Sequence, residues 1–196
     1  ETYHLAGEPI SIRKPKAPFN RVAFAAAHVV ADPLSSAGAL DWDKTLGFRH
    51  YLLDQGFDIA EAMDTSQRGM GLDWPLAHEL IARSLKSAGP EASRIYSGCG
   101  TDHLPPVDAH SIDDVVKAYL EQLHAIQKLG GRIIMMASRA LVRVAKSPDD
   151  YVKVYSRVLK EADHPVILHW LGEMFDPALR GYWGADDFSS AMKTCL

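Results

Sequence analysis

The sequence predicts an α/β protein of the (β/α)8 TIM-barrel class, incomplete, with about five strands present. Three observations predict it. Short apolar runs that do not alternate with polar residues recur along the chain, as strands buried on both faces require. Segments of helical periodicity with recognisable caps lie between them, so strand and helix alternate and successive strands run parallel. Neither a G-x-G-x-x-G turn after the first run nor a P-loop is present, and that run opens instead into a polar, proline-containing loop. A closed barrel takes about 250 residues. The chain has 196, which is why the barrel is expected to be incomplete.

The elements follow in order. Residues 1–20 set Pro9, Pro15 and Pro18 among Arg13, Lys14 and Lys16, and are expected as an N-terminal arm or short strand pair outside the main fold. Residues 21–196 then form the barrel domain. Residues 22–31 are apolar apart from His28 and predict a first strand buried on both faces; Pro33, Ser35, Ser36 and Gly38 predict a loop. A helix is expected from near Asp41, turning Leu46, Phe48, Tyr51, Leu52 and Leu53 toward a core, with Gly56 at its left-handed C-terminal cap. Residues 57–63 predict the second strand and 64–71 a polar, glycine-rich loop. Asp73 is placed to cap a helix through Ser87, with Pro75 tolerated in its first turn.

The cycle repeats. Residues 94–97 predict a third strand leading into the loop 98–103. Ser111 and Asp114 have the spacing of a capping box, with aspartate where glutamate or glutamine is usual. Ile112, Val115, Val116, Tyr119, Leu120, Leu123 and Ile126 then recur at helical spacing until Gly130 and Gly131. Residues 132–137 predict the fourth strand. Ser147, Pro148, Asp149 and Asp150 open a helix carrying Val152, Val154, Tyr155, Val158 and Leu159. Residues 166–171 predict the fifth strand, and 186–196 the start of another helix.

Composition narrows the class of function. A net charge of −4 gives no reason to expect nucleic acid or an anionic membrane as partner. Cys99 and Cys195 are far apart, which argues against a disulfide framework or zinc ribbon and fits a reducing cytosol. No apolar stretch reaches the roughly 18 residues of a membrane-spanning helix, and the N-terminus lacks the pattern of a signal peptide. The expectation is a soluble, cytoplasmic protein, a homo-oligomer, acting on a small molecule.

Parallel barrels carry their reactive groups at the C-terminal ends of the strands and in the loops that follow. Those positions hold His28, then Glu61, Asp64 and Thr65, then Cys99, Thr101, Asp102 and His103, then Ser138 and Arg139, then His169, Trp170 and Glu173. His28 is either a hydrogen-bonded core histidine or a functional one. Glu61 is costly to bury without a partner, so a functional or a paired role is expected. Arg68 is either solvated in its loop or functional. Arg139 follows a buried strand and could bind a carboxylate or phosphate through its planar fork, cap a helix, or pair with Asp102. His169, inside VILHWL, is the expected catalytic acid/base, since imidazole exchanges protons near neutral pH. Cys99 and the tryptophans Trp42, Trp74 and Trp183 are expected to pack.

The segments AHVVADP (27–33), DWDKTLGFRHYLLDQGFDIAEAMDTSQRGMGLDW (41–74), IIMMASRAL (133–141) and VILHWLGEMFDP (166–177) resemble a bacterial family catalogued as domain of unknown function 993. That family is grouped with the dihydrodipicolinate synthase and N-acetylneuraminate lyase barrels. The resemblance runs from Arg21 onward and implies a barrel aldolase. In those aldolases a Gly-Thr-Thr-Gly-Glu loop after the second strand binds the carboxylate of a 2-oxo acid. Ala62, Met63, Asp64, Thr65 and Ser66 correspond; Thr65 keeps one hydroxyl, whereas Asp64 replaces a threonine and would repel a carboxylate. On the fifth strand the aldolases place Tyr-Asn, and His169-Trp170 stands there, histidine taking the acid/base role. The resemblance also implies a Schiff-base lysine on a sixth strand, beyond this chain; Lys193 lies too early for it.

Three functions remain open at this point. The first is an aldolase or lyase acting through that Schiff base on a small oxo acid or sugar-derived carbonyl compound, without a cofactor. Here Thr65 and Arg139 would orient the substrate, with His28, Glu61, Asp64, Asp102, His103 and Glu173 as further binding residues. The second is a divalent-metal lyase, isomerase or epimerase, with ligands drawn from His28, Glu61, Asp64, Asp102, His103 and His169. The third is an inactive fragment or a binding protein.

Overall fold

The computed structural model describes residues 7–8, 19–32, 34 and 40–196. Most of the expected N-terminal arm, and loop residues Pro33, Ser35, Ser36 and Gly38, lie outside the described residues. Five parallel strands make one sheet: β1 (Phe24–Ala26), β2 (Asp58–Glu61), β3 (Ile95–Cys99), β4 (Arg132–Met135) and β5 (Ile167–Leu168). They pair in sequence order, with Ala26 opposite Ala60, Ala60 opposite Tyr96, Gly98 opposite Ile134 and Met135 opposite Leu168. An open doubly wound sheet would reverse direction at a switch point. The order here never reverses, and the fold is a half-barrel of the parallel (β/α) type.

Helices α1 (Trp42–Asp54), α2 (Trp74–Ala88) and α3 (Ile112–Lys128) each connect successive strands. Two helices, α4 (Arg139–Val144) and α5 (Pro148–Leu159), share the connection from β4 to β5, and α6 (Phe188–Cys195) follows β5. The caps explain the boundaries. Asp41 accepts from Lys44 N at 3.0 Å and Asp73 from Leu76 N at 3.0 Å. At α3 both halves of the capping box form: Ser111 Oγ accepts from Asp114 N, and the Asp114 carboxylate accepts from Ser111 N. Gly56, with φ of 90°, ends α1 as only glycine does without strain.

Strand alternation separates two layers. Ile59, Ile95, Ile133 and Met135 pack with the helices in the main core. Ala60, Met63, Ile134 and Met136 form a second cluster on the other face, with Phe24, Tyr96 and Ile167 against it. Gly98 lies in that second layer, where a Cβ would meet Met136 Sδ at 2.8 Å and the Ala62 carbonyl oxygen at 2.9 Å. The close approach of β3 to the turn after β2 therefore depends on glycine.

Several expectations are corrected. β1 covers three residues rather than 22–31 and is partly exposed, because among the described residues it pairs only with β2 and has a free edge. β5 has two residues, not six, since the chain leaves the sheet just after His169. The short α4 was not expected; Ser138 caps it by accepting from Leu141 N at 3.0 Å. On α1 the buried stripe is Thr45, Arg49 and Leu53, whereas Tyr51 is exposed. On α5, Tyr151, Val154, Tyr155 and Val158 are buried, whereas Val152 and Leu159 face outward. Among the described residues no helix is long and apolar enough to cross a membrane.

The segment after β5 is fixed by an aromatic cluster. Trp183 has φ of 68°, a left-handed conformation that is strained for a bulky side chain. It is held by Tyr155, with ring centroids 4.4 Å apart, and by Tyr151, Tyr182 and Trp170. This anchoring positions the upstream residues Leu171, Asp176 and Leu179, which wall the pocket described next.

Candidate functional site

The C-terminal ends of β2, β3 and β4 open onto a pocket of about 170 Å³. Asp64 and Arg68 line it from the β2 side, Thr101 and Asp102 from the β3 side, Met136 and Arg139 from the β4 side, and Asp176 from the segment after β5. This is the end at which parallel barrels place their chemistry.

Two buried arginines build the turn after β2. Arg49, on the core stripe of α1, donates to both carboxylate oxygens of Glu61 at 2.9 and 2.8 Å, and also to the carbonyls of His28 and Thr45. Glu61 is fully buried. It shares the helix-facing side of β2 with Ile59, so its carboxylate points at α1 rather than into the mouth. Of its two expected roles the structure gives it the paired one; no part of it is open to a substrate.

Arg68 is the second, and its role exceeds that of a loop residue in solvent. Its guanidinium is almost wholly enclosed and commits every N–H. Nε and Nη2 reach Asp102 at 3.0 and 2.8 Å, Nη1 reaches the carbonyls of Gly98 and Ala62, and Nη2 also reaches Gln122 Oε1. Trp74 lies over it, 5.1 Å from Cζ to ring centroid. Between the two arginines sits Ala62, at φ of 52°, an uncommon conformation for a residue with a Cβ. Its N–H donates to Glu61 and its carbonyl accepts from Arg68. The paired charges thus hold a strained turn that presents Asp64 to the pocket.

Gln122 completes the network on α3. Its carbonyl oxygen accepts from Arg68 and from Gly100 N, and its amide donates to Asp102 Oδ1 and to His103 Nδ1. His103 Nε2 then meets Glu121 at 3.0 Å. With Nδ1 accepting from an amide, the proton of the neutral ring is assigned to Nε2. Burial pushes the Asp102 carboxyl up, but the hydrogen bonds and charge of Arg68, with Gln122, outweigh it and hold Asp102 below its ordinary value. Asp102 therefore pairs with Arg68 and not with Arg139, whose partner is Asp176.

The remaining expected residues divide. The side chain of Asp64 has no hydrogen bond or ion pair among the described residues. Thr65 Oγ1 and His169 Nδ1 are buried and have no partner among the described residues. His169 N donates to the Met135 carbonyl at 3.0 Å, which extends the strand pairing by one residue and puts His169 on the Ile167 side of the sheet. Arg139 is half exposed in the first turn of α4. His28 is exposed and contributes its carbonyl to Arg49. Glu173 is exposed and pairs loosely with Arg180 at 3.7 Å. Of the expected residues, Asp64, Asp102 and Arg139 line the pocket, and His28, Glu61, Thr65, His103, His169 and Glu173 do not. Cys99 is fully buried and burial pushes its thiol up to about 12, so it packs rather than attacks.

Below Thr101 lies a chain of hydroxyls. Thr101 Oγ1 and Ser138 Oγ are 2.6 Å apart, Ser138 N donates to Tyr182 Oη, and Tyr182 Oη meets Tyr155 Oη at 3.0 Å. Gln122, Asp176 and Tyr182 were not foreseen as parts of the site. Gln122 had a signal, being a polar residue in the middle of the apolar stripe of α3. Among the described residues no three His, Cys, Asp or Glu side chains converge as a metal site would need.

The model of a family described as a protein of unknown function (DUF993) matches residues 1–196. No curated protein matches the chain. Three solved structures are similar to it. A dihydrodipicolinate synthase is 12% identical with a TM-score of 0.56, over 76% of this chain and 46% of that one. CdNal from Clostridium difficile, in complex with mannosamine, is 13% identical with a TM-score of 0.56, over 82% and 52%. A dihydrodipicolinate synthase from Agrobacterium tumefaciens str. C58 is 18% identical with a TM-score of 0.50, over 77% and 48%. The chain spans about half the length of these proteins, and the likeness is one of fold.

Proposed function

The chain belongs to the DUF993 family, and from that membership and the rim just described we propose that it forms the first five strands of an aldolase-like lyase. The substrate is a small oxo acid or sugar-derived carbonyl compound, held as an imine on a lysine carried by a further strand. No lysine lines the described pocket.

The observation that carries the proposal is His169. Its ring nitrogen Nδ1 is buried at the end of β5 without a partner among the described residues. An unsatisfied buried nitrogen is costly unless something else supplies its hydrogen bond, and a bound substrate would. Imine chemistry needs such a group. The amine adds to the carbonyl carbon and water leaves; carbon–carbon cleavage then places the electron pair on the imine side, and protons move at each stage. Thr65 Oγ1, likewise unsatisfied, is available to hold a substrate oxygen, and Arg139 stands half exposed across the mouth to orient it.

Borohydride trapping of the full-length protein with a panel of 2-oxo acids and sugar-derived ketones tests this. The expected result is a stable mass adduct on a single lysine, and a His169→Gln variant whose kcat falls by about 10²-fold with KM little changed. No adduct with any carbonyl compound would sink the imine reading.

A further inference from the structure

The charges facing the pocket restrict what can enter it. Two guanidiniums, Arg68 and Arg139, stand against three carboxylates, Asp64, Asp102 and Asp176, which leaves a net charge of −1 (2 − 3). Both arginines already have a carboxylate partner. Arg68 spends all its N–H groups on Asp102, Gln122 and two backbone carbonyls. Arg139 gives its Nε to Asp176, so its charge is shared with that carboxylate. The unmatched charge is Asp64, whose carboxylate has no partner among the described residues.

An incoming carboxylate would have the Nη groups of Arg139 to bind, on a cation whose charge Asp176 already shares, and would face the unpaired Asp64 in a confined space, where like charges repel more strongly than in bulk water. An uncharged polyol meets the opposite situation. Its hydroxyls can donate to Asp64, and a carboxylate acceptor makes a stronger hydrogen bond than a neutral one. Thr101 can serve such a ligand in either sense. Either hydroxyl of the 2.6 Å Thr101–Ser138 pair can be the donor, so Thr101 can turn its proton toward a ligand oxygen or accept from a ligand hydroxyl.

We propose that, given the lyase reading above, the substrate is an uncharged polyhydroxylated carbonyl compound rather than a 2-oxo acid, with the Asp64 carboxylate accepting hydrogen bonds from its hydroxyls. Asp64 is then the specificity-determining residue of the mouth.

The test is calorimetric titration of the full-length protein with dihydroxyacetone, L-erythrulose and D-xylulose on one side and pyruvate and 2-oxobutyrate on the other. The expected result is that at least one ketose binds about tenfold more tightly than either oxo acid, the scale of one charge-assisted hydrogen bond. In Asp64→Asn that preference shrinks by about tenfold, through weaker ketose binding and stronger pyruvate binding. Pyruvate binding as tightly as every ketose, an unchanged preference in Asp64→Asn, or no binding by either class overturns the proposal. Binding needs no imine, so the two readings fail separately. A ketose preference without a trapped adduct removes the lyase reading alone, and a pyruvate adduct with tight pyruvate binding removes this one alone.

Discussion

Replacing Arg68 by methionine is expected to destabilise the protein by about 3–5 kcal/mol, read as a lower urea midpoint with an unchanged slope. The cost arises from what stays behind. Asp102 loses both bidentate bonds, the carbonyls of Gly98 and Ala62 lose a donor, and the fully buried Gln122 loses one of the two donors to its oxygen. Ala62 then keeps its strained left-handed turn with one brace instead of two.

The effect depends on pH in a stated direction. Asp102 is held below its ordinary value in the folded protein. It therefore contributes stability above the unfolded aspartate value of about 3.9, and that contribution is lost as the pH falls through the depressed folded value. The gap between wild type and Arg68→Met is widest at neutral pH and narrows in acid. A gap that does not change with pH would mean that the Asp102 pairing is not its source.

The second large effect is at Arg49. Arg49→Met leaves the fully buried Glu61 carboxylate without its cation, and the expected loss is again about 3–5 kcal/mol. The companion variant, Arg49→Met with Glu61→Leu, should recover most of that loss, because apolar side chains of similar volume can replace a buried ion pair at little cost. Recovery stays incomplete by about 1 kcal/mol, since the Ala62 N–H loses its acceptor. Equal instability of the single and double variants would contradict the ion-pair account. Measured by urea denaturation, the pair thus separates a charge left alone from a contact merely removed.

These two arginines also mark where the sequence was and was not legible. The parallel layers were legible because strands buried on both faces must be apolar throughout, and Ile95, Ile133 and Ile134 satisfy that without help from their surroundings. The same property hides which face is which. In residues 58–61 the run Asp-Ile-Ala-Glu gives Glu61 and Ile59 one side and Ala60 the other, but nothing in the run says that the first side meets helices. The signal lay on α1, where Thr45, Arg49 and Leu53 fall four residues apart. An arginine on a buried stripe requires a buried anion, and Glu61 is that anion. Gln122 on α3 carries the equivalent signal for Arg68.

The lengths of β1 and β5 were not legible, since strand ends are set by partners rather than by composition. Residues 22–31 are apolar enough for a long strand, yet only three of them find partners on β2. The positions at the mouth were legible only as a set. Asp64, Asp102 and Arg139 line the pocket as their places after the strands imply. His103, one residue beyond Asp102, turns instead to Gln122 and Glu121, because a loop imposes no alternation from which side chains could be read. Asp176 belongs to a wall whose position is fixed by Trp183 and Tyr182, several residues downstream.

The central claim is that ligand binds at the C-terminal ends of the strands, between Asp64, Thr101, Arg139 and Asp176. Hydrogen–deuterium exchange of the full-length protein, with and without saturating L-erythrulose or pyruvate, measures this directly. The account predicts ligand-dependent protection in the segments after β2, β3 and β4 and in the segment that carries Asp176. Protection confined instead to the outer groove between α3 and α5, where Asp113, His124 and Arg157 lie, would contradict it.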